Sequence, residues 1–496
     1  MVEQYPILIV AIPLIGSVFC PLIGRWKKTF CYYWTVLLLS ASVAGSIHTL
    51  FQVISGGTVY YHLGGWPPPV GIEYVVDHLN AMMVTLVSVV SLIVAIYSRP
   101  SVEKELPDRI IYFYTLFILQ VTGYLGIVMT GDLFNLYVFL EIASLAGYAL
   151  IAVGEDGAPL ATFRYIIMGT IGGSFYLLGV GYIYITTGSL NMADVRELLP
   201  QLYESRVILT AVAFLTAGLA VKMALFPVHV WLPDAYTKAP SVTSALIAPL
   251  MTKISLYLLI RILFDVFQHR LYMEMLPISS IMVWAGVIAI VAGAVMALAQ
   301  TDFKRMLCYI VVAEVGYIVG GLGLVNETAL KGAILHILND AVMTLGLFTV
   351  AGIVAYKMGR HDLSDFKDMF KKMPITMSTF VVGALSIIGV PPTCGFFSKW
   401  YLVHGAIIAE HWTFLAALLL SSLVSVILFF RVIEIGYGFA SSHAKHAHEG
   451  DAMTGIDEAP AEMLIPAIAV AVAILLIGLY NQTILSKVIA FGVPRL

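Results

Sequence analysis

Residues 210–236, TAVAFLTAGLAVKMALFPVHVWLPDAY, hold a single charge, Lys222, before Asp234, and Pro227 follows that lysine five positions later. An ammonium at the centre of a bilayer costs about 2.5–3.5 kcal/mol on insertion scales, so a lysine there marks a working site. The proline removes a backbone donor and clashes with the preceding turn, which predicts a broken helix beside the charge.

Working outward, the whole chain reads the same way. Of its 496 residues 60% are hydrophobic and 11% charged, against about 25% charged in soluble domains. Apolar stretches long enough to cross about 30 Å of hydrocarbon recur along nearly the entire length. The expected fold is all-α, a polytopic membrane protein with about 14 transmembrane helices. The first stretch, from Tyr5, lacks a basic leader and reads as a retained helix. Four scattered cysteines without a C-x-x-C pair suggest no cluster or zinc site, so no cofactor is expected on this chain, and nothing in it suggests nucleic acid.

Lysine and arginine set the expected orientation. Loops after odd-numbered spans hold Arg25, Lys27 and Lys28, then Arg99, Lys104 and Arg109, then Lys304 and Arg305, then Lys357 through Lys372, while residues 54–77 have none. Both termini are therefore expected outside the cell membrane.

A second break, at Pro391 and Pro392, has Lys399 beside it. The two breaks fall in spans seven and twelve, and Pro233 is expected to interrupt span seven again. Five spans apart, they run in opposite directions, the pattern of inverted repeats with a site between them. The chain then divides into residues 1–109 (spans 1–3), 110–270 and 271–440 (two inverted five-helix repeats), and 441–496 (a cytoplasmic loop and span 14).

Other titratable groups also fall inside spans: Glu141, Lys253, Glu314, His336 and Asp340. Each must pair or meet water. At an effective dielectric of about 20, charges about 7 Å apart interact by roughly 2.4 kcal/mol, so moving a carboxylate decides whether a nearby lysine keeps its proton. A lone carboxylate such as Glu314 or Asp340 can equally be helix glue. Three lysines together with Glu141 point to ion handling. His336 and Asp340 share a helix face, as a proton relay or as a structural pair. Arg261, Arg431 and Glu434 lie near span ends and are expected to anchor at the interface or touch a partner. His443, His446 and His448 read as a solvated loop rather than a metal site.

LYVFLEIASLAGYALI (136–151), the stretch 220–261 that runs from Lys222 through Lys253, and GVPPTCGFFSKW (389–400) resemble the antiporter-like subunit family. That family includes the A and D subunits of Mrp cation/proton antiporters and the membrane-arm subunits of complex I, membrane-bound hydrogenases and sulfur reductases. The resemblance implies a proton-translocating subunit among other membrane subunits, moving protons with sodium as a second candidate ion. It implies Glu141 and Lys222 as the coupling pair, Lys253 as bridge, His336 as relay and Lys399 as terminal group; Asp340, Glu314 and His229 stand beside them as accessory candidates. Asp340 and Thr344 depart from many complex I members, which have a histidine and a lysine there, and are closer to the D-type Mrp chains and the hydrogenase type. The competing expectation is an autonomous transporter of a small solute; no H-E-x-x-H or phosphate-binding loop points to an enzyme.

Overall fold

The computed structural model describes residues 5–154, 157–268, 277–359, 361–438 and 456–493. The loop with His443, His446 and His448 lies outside them. Among the described residues, twelve helices are long and apolar enough to cross a membrane. They are α1 (Tyr5–Trp26), α2 (Thr29–Gly56), α3 (His78–Glu105), α4 (Ile110–Met129), α5 (Leu133–Ala152), α6 (Ala158–Thr187), and, after a broken passage, Ser241–Val266. Then come Ile278–Leu298, Phe303–Gly323, Glu327–Met358 and, beyond the second broken passage, Trp412–Tyr437 and Ala461–Leu479.

Each broken passage consists of two short helices. The first is α7 (Arg206–Lys222) followed by α8 (Trp231–Lys238), after which α9 (Ser241–Ile260) continues as a π-helical turn over Arg261–Val266. Next in order are α10 (Ile278–Leu298), α11 (Phe303–Gly323) and α12 (Glu327–Met358). The second passage is α13 (Pro374–Ile388) and α14 (Cys394–Ile408), followed by α15 (Trp412–Tyr437) and α16 (Ala461–Leu479).

The all-helical expectation needs one amendment. The lysine-free segment 54–77 folds into an antiparallel pair, β1 (Val59–His62) and β2 (Glu73–Val76), with Val59 opposite Val76. This pair marks one end of the molecule, its hairpin face.

Burial separates a rim from a core. The Ser241–Val266 helix, α11 and α12 are each 94% buried over their most apolar window, whereas α2 is only 33% buried. A helix apolar all round belongs in the centre of a bundle, and these three carry Lys253, Glu314, His336 and Asp340. Tertiary packing therefore surrounds the charges that sequence places inside the spans.

The same local constructions occur twice. Asp132 caps α5 by accepting from Asn135 N at 2.7 Å, and Asp302 caps α11 by accepting from Arg305 N at 2.7 Å. Leu133 N donates to Leu190 O and Met192 N to Gly131 O, tying the start of α5 to the loop after α6. Phe303 N to His361 O and Leu363 N to Thr301 O tie the start of α11 to the loop after α12 in the same way.

Both first half-helices end on a left-handed residue, Ala224 (φ 56) after α7 and Gly389 (φ 93) after α13. Leu225 N then reaches back to Ala220 O, and Val390 N to Leu385 O, at 3.0 Å each, closing a Schellman-type end. Alanine in that conformation costs about 1–2 kcal/mol, so the end of α7 is held by its surroundings. The break of span seven thus begins at Met223, ahead of Pro227. Pro233 does not interrupt anything: it is the third residue of α8, where its missing N–H has no intrahelical partner to lose.

Candidate functional site

Lys222 is the last residue of α7, where the negative end of the helix dipole favours a cation. Its Nζ donates to Ser144 Oγ at 2.8 Å and stands 3.6 Å from Glu141 Oε1. Ser144 is three residues beyond Glu141 on α5, so one helix face presents both partners. The lysine side chain is 3% exposed and the glutamate 27%. Gly173 on α6 makes the room: a Cβ there would lie 2.5 Å from Glu141 Oε1.

The second break is wired similarly. Val221 O, freed at the end of α7, accepts from Trp231 Nε1 of α8 at 3.1 Å; Ile387 O, freed at the end of α13, accepts from Lys399 Nζ of α14 at 2.5 Å. Lys399 also meets Glu314 Oε1 at 3.7 Å and Tyr317 Oη at 3.4 Å, with its ammonium 4.7 Å from the Tyr317 ring centre. Glu314 Oε2 is 2.5 Å from His336 Nε2, and His336 Nδ1 is 2.8 Å from Ser398 Oγ.

Between the two breaks lies Lys253, fully buried, with Nζ 2.8 Å from Asp340 Oδ2. Thr344 donates to Asp340 Oδ1 at 2.8 Å. The pair joins α9 to α12, and one turn along α12 from Asp340 stands His336. These groups thus fall into three clusters: Glu141, Lys222 and Ser144; Lys253, Asp340 and Thr344; and His336, Glu314, Lys399, Ser398 and Tyr317.

Several expectations change. His336 is not held by Asp340: side chains four apart on a helix share a face, but each here has a closer partner across the interface, Glu314 and Lys253 respectively. Glu314, an accessory on sequence grounds, is the centre of its cluster. Arg261 is held within this chain, by Asp77 and Asp265, rather than left for lipid or a partner. Arg431 is exposed. His229 is buried in the first break and stacks on Phe226 at 5.0 Å. Sequence reasoning missed Ser144, Ser398, Tyr317 and Gly173. Ser144 had a signal, three residues after Glu141 on the same face of α5; Ser398, adjacent to Lys399 but pointing about 100° away around α14, and Gly173, one of many glycines, had none. Among the described residues no group of three His, Cys, Asp or Glu side chains is arranged to hold a metal.

The twelve apolar helices among the described residues, two similarly built broken passages and three clusters that each set a cation against a carboxylate inside the bundle define a multi-pass membrane subunit of the antiporter and complex I type. The family described as "NADH:quinone oxidoreductase/Mrp antiporter, TM" matches residues 130–425, and the chain belongs to it. The N subunit of the NADH-quinone oxidoreductase of Desulforudis audaxviator is 44% identical over 499 residues, covering 100% of this chain and 99% of that protein. The D subunit of the Na(+)/H(+) antiporter of Alkalihalophilus pseudofirmus is 32% identical, with coverage of 81% and 80%. A chain of the membrane-bound sulfane sulfur reductase, an archaeal respiratory membrane complex, is similar at a TM-score of 0.89 and 29% identity, covering 99% and 97%. A chain of the Mrp complex from Dietzia sp. shares the fold at a TM-score of 0.82 and 24% identity, covering 98% and 95%.

Proposed function

We propose that this chain carries protons across the cell membrane as one subunit of a multi-subunit complex, using Glu141 and Lys222 as the coupling pair. The observation that carries this is the position of Lys222, buried at the broken end of α7 with Glu141 at 3.6 Å. At an effective dielectric of about 20, lengthening that distance to about 7 Å weakens the attraction holding the charged lysine by roughly 2 kcal/mol. The proton then passes to Lys253 and Asp340, and onward through His336 and Glu314 to Lys399.

Fourteen crossings follow when α7 with α8, and α13 with α14, each count as one. Residues 110–270 and 271–440 are then inverted repeats, which the paired aspartate caps, bridged loops and Schellman ends support. The positive-inside bias places both termini, and the hairpin face, outside. Other membrane subunits are the partners, and protons, with sodium as a second candidate, are the cargo.

The host is a redox-driven complex rather than a stand-alone antiporter, a reading supported by end-to-end identity of 44% with the N subunit of an NADH-quinone oxidoreductase. Redox centres would lie on other chains. Purification through a tag on this subunit tests it: iron–sulfur chains in the eluate support a redox complex, and small membrane subunits alone contradict it. Solute uptake by this chain alone in liposomes would favour an autonomous transporter instead.

A further inference from the structure

The helix that carries Lys253 joins two polar cavities at its ends. At its start, Ser241 N donates to Glu105 Oε2 at 3.0 Å beside a cavity of about 310 Å³ lined by Lys104, Glu105, Ser241 and His361. At its far end, on the hairpin face, lies a larger cavity of about 540 Å³ whose lining includes Glu73, Asp77, Thr130, Tyr257, Arg261 and Asp265. Lys253 is about 18 Å of helix rise from Ser241 but only about 6 Å from Tyr257. The larger cavity therefore reaches within one turn of the buried lysine.

Arg261 lines that cavity between Tyr257 and Asp265 along the helix. Its guanidinium contacts Asp77 Oδ1 at 2.5 Å, Asp265 Oδ2 at 2.6 Å and, through Nε, Tyr257 Oη at 3.0 Å, and it also donates to Asn80 Oδ1. Tyr257 in turn donates to Val128 O at 3.0 Å. The π-helical turn Arg261–Val266 begins at this arginine and contains its Asp265 partner, and such turns within helices often mark working sites. Lys253, Tyr257 and Arg261 follow one another at four-residue steps along the same side of the helix.

We propose that this cavity is an outward-facing ion port serving Lys253, with Arg261 as its plug and Tyr257 as the last barrier. Four carboxylates in the lining, Glu73, Asp77, Glu197 and Asp265, outnumber its two arginines, Arg196 and Arg261, and draw cations in, while Arg261, always charged, repels a hydronium or sodium ion from the step beyond. Four bonds hold the plug, so it opens by moving aside, since it cannot be neutralised. The proposal rests on the proton-carrying reading of this chain, and its test separates the two.

In the complete complex, in right-side-out vesicles, a membrane-impermeant cationic methanethiosulfonate is applied to Tyr257→Cys, with Thr58→Cys at the mouth as reference; the four native cysteines are buried. With Arg261 intact, Tyr257→Cys reacts slower than Thr58→Cys by about tenfold or more, and adding Arg261→Gln removes most of that gap. Without the cysteine, Arg261→Gln raises passive proton leak, and Lys253→Met suppresses the leak. Where Arg261→Gln blocks assembly, Asp265→Asn loosens the plug and gives the same changes in smaller degree. Labelling unaffected by loosening Arg261 overturns the port, as does a leak that persists without Lys253. The labelling result is read whether or not the chain moves protons, so its failure is distinct from failure of that reading.

Discussion

Lys253 and Asp340 meet at 2.8 Å with neither side chain exposed, a fully buried ion pair that joins the first half of the chain to the second. Two charges brought out of water are tolerable together and costly apart, because removing one partner of a buried pair typically costs about 3–5 kcal/mol. Asp340→Asn is accordingly expected to lower the thermal stability of the purified complex and to stop proton movement. The double variant Asp340→Asn with Lys253→Met is expected to recover most of the stability and none of the transport. Thermal aggregation and vesicle fluorescence quenching, measured on the same preparations, separate the two effects.

Gly173 holds no charge, yet its substitution reaches the proposed coupling pair, Glu141 and Lys222. The methyl group of Gly173→Ala would lie 2.5 Å from Glu141 Oε1, which displaces the carboxylate from Lys222. Proton transport is expected to fall by about tenfold, the effect of about 1.4 kcal/mol, with assembly unchanged on native gels. Gly181→Ala on the same helix, where nothing lies within 4 Å, is the control and should transport normally.

Glu314 contacts both His336 and Lys399, so Glu314→Gln removes the negative charge between two of the proposed proton carriers. Its transport defect is expected to equal that of Glu141→Gln. Initial rates of acidification in vesicles holding matched amounts of complex check this; a rate near wild type for Glu314→Gln alone would reduce the residue to helix glue.

Tyr317 supports Lys399 with both its hydroxyl and its ring. Tyr317→Phe keeps the ring and loses a 3.4 Å bond, a change of about 1 kcal/mol or less. Tyr317→Leu also loses the ring contact, up to about 2 kcal/mol more when desolvated. Vesicle acidification rates are therefore expected to decline modestly in the first variant and steeply in the second.

Much of this was legible in the sequence because a bilayer leaves few choices. Span positions follow from hydropathy, and the breaks from Pro227, Pro391 and Pro392. The lysines announced themselves by their cost. Pairing was less legible: a helical sequence says that His336 and Asp340 share a face, but not that α11 and α9 each bring a better partner to one of them. The end of α7 was displaced from its proline for a similar reason. The chain turns at Ala224, whose left-handed backbone no local preference predicts. Arg261 looked like a membrane anchor because nothing near it in sequence except Asp265 hints at Asp77, which arrives from the start of α3.

Whether Lys222 carries protons is decided by the assembled Lys222→Ala complex in inverted vesicles. Proton uptake is followed by fluorescence quenching while the complex is driven by its own electron donor or ion gradient, with subunit composition verified on the same vesicles. The expected result is an intact complex whose proton uptake is abolished, beside wild-type vesicles that quench fully. Wild-type quenching from an assembled Lys222→Ala complex would contradict it.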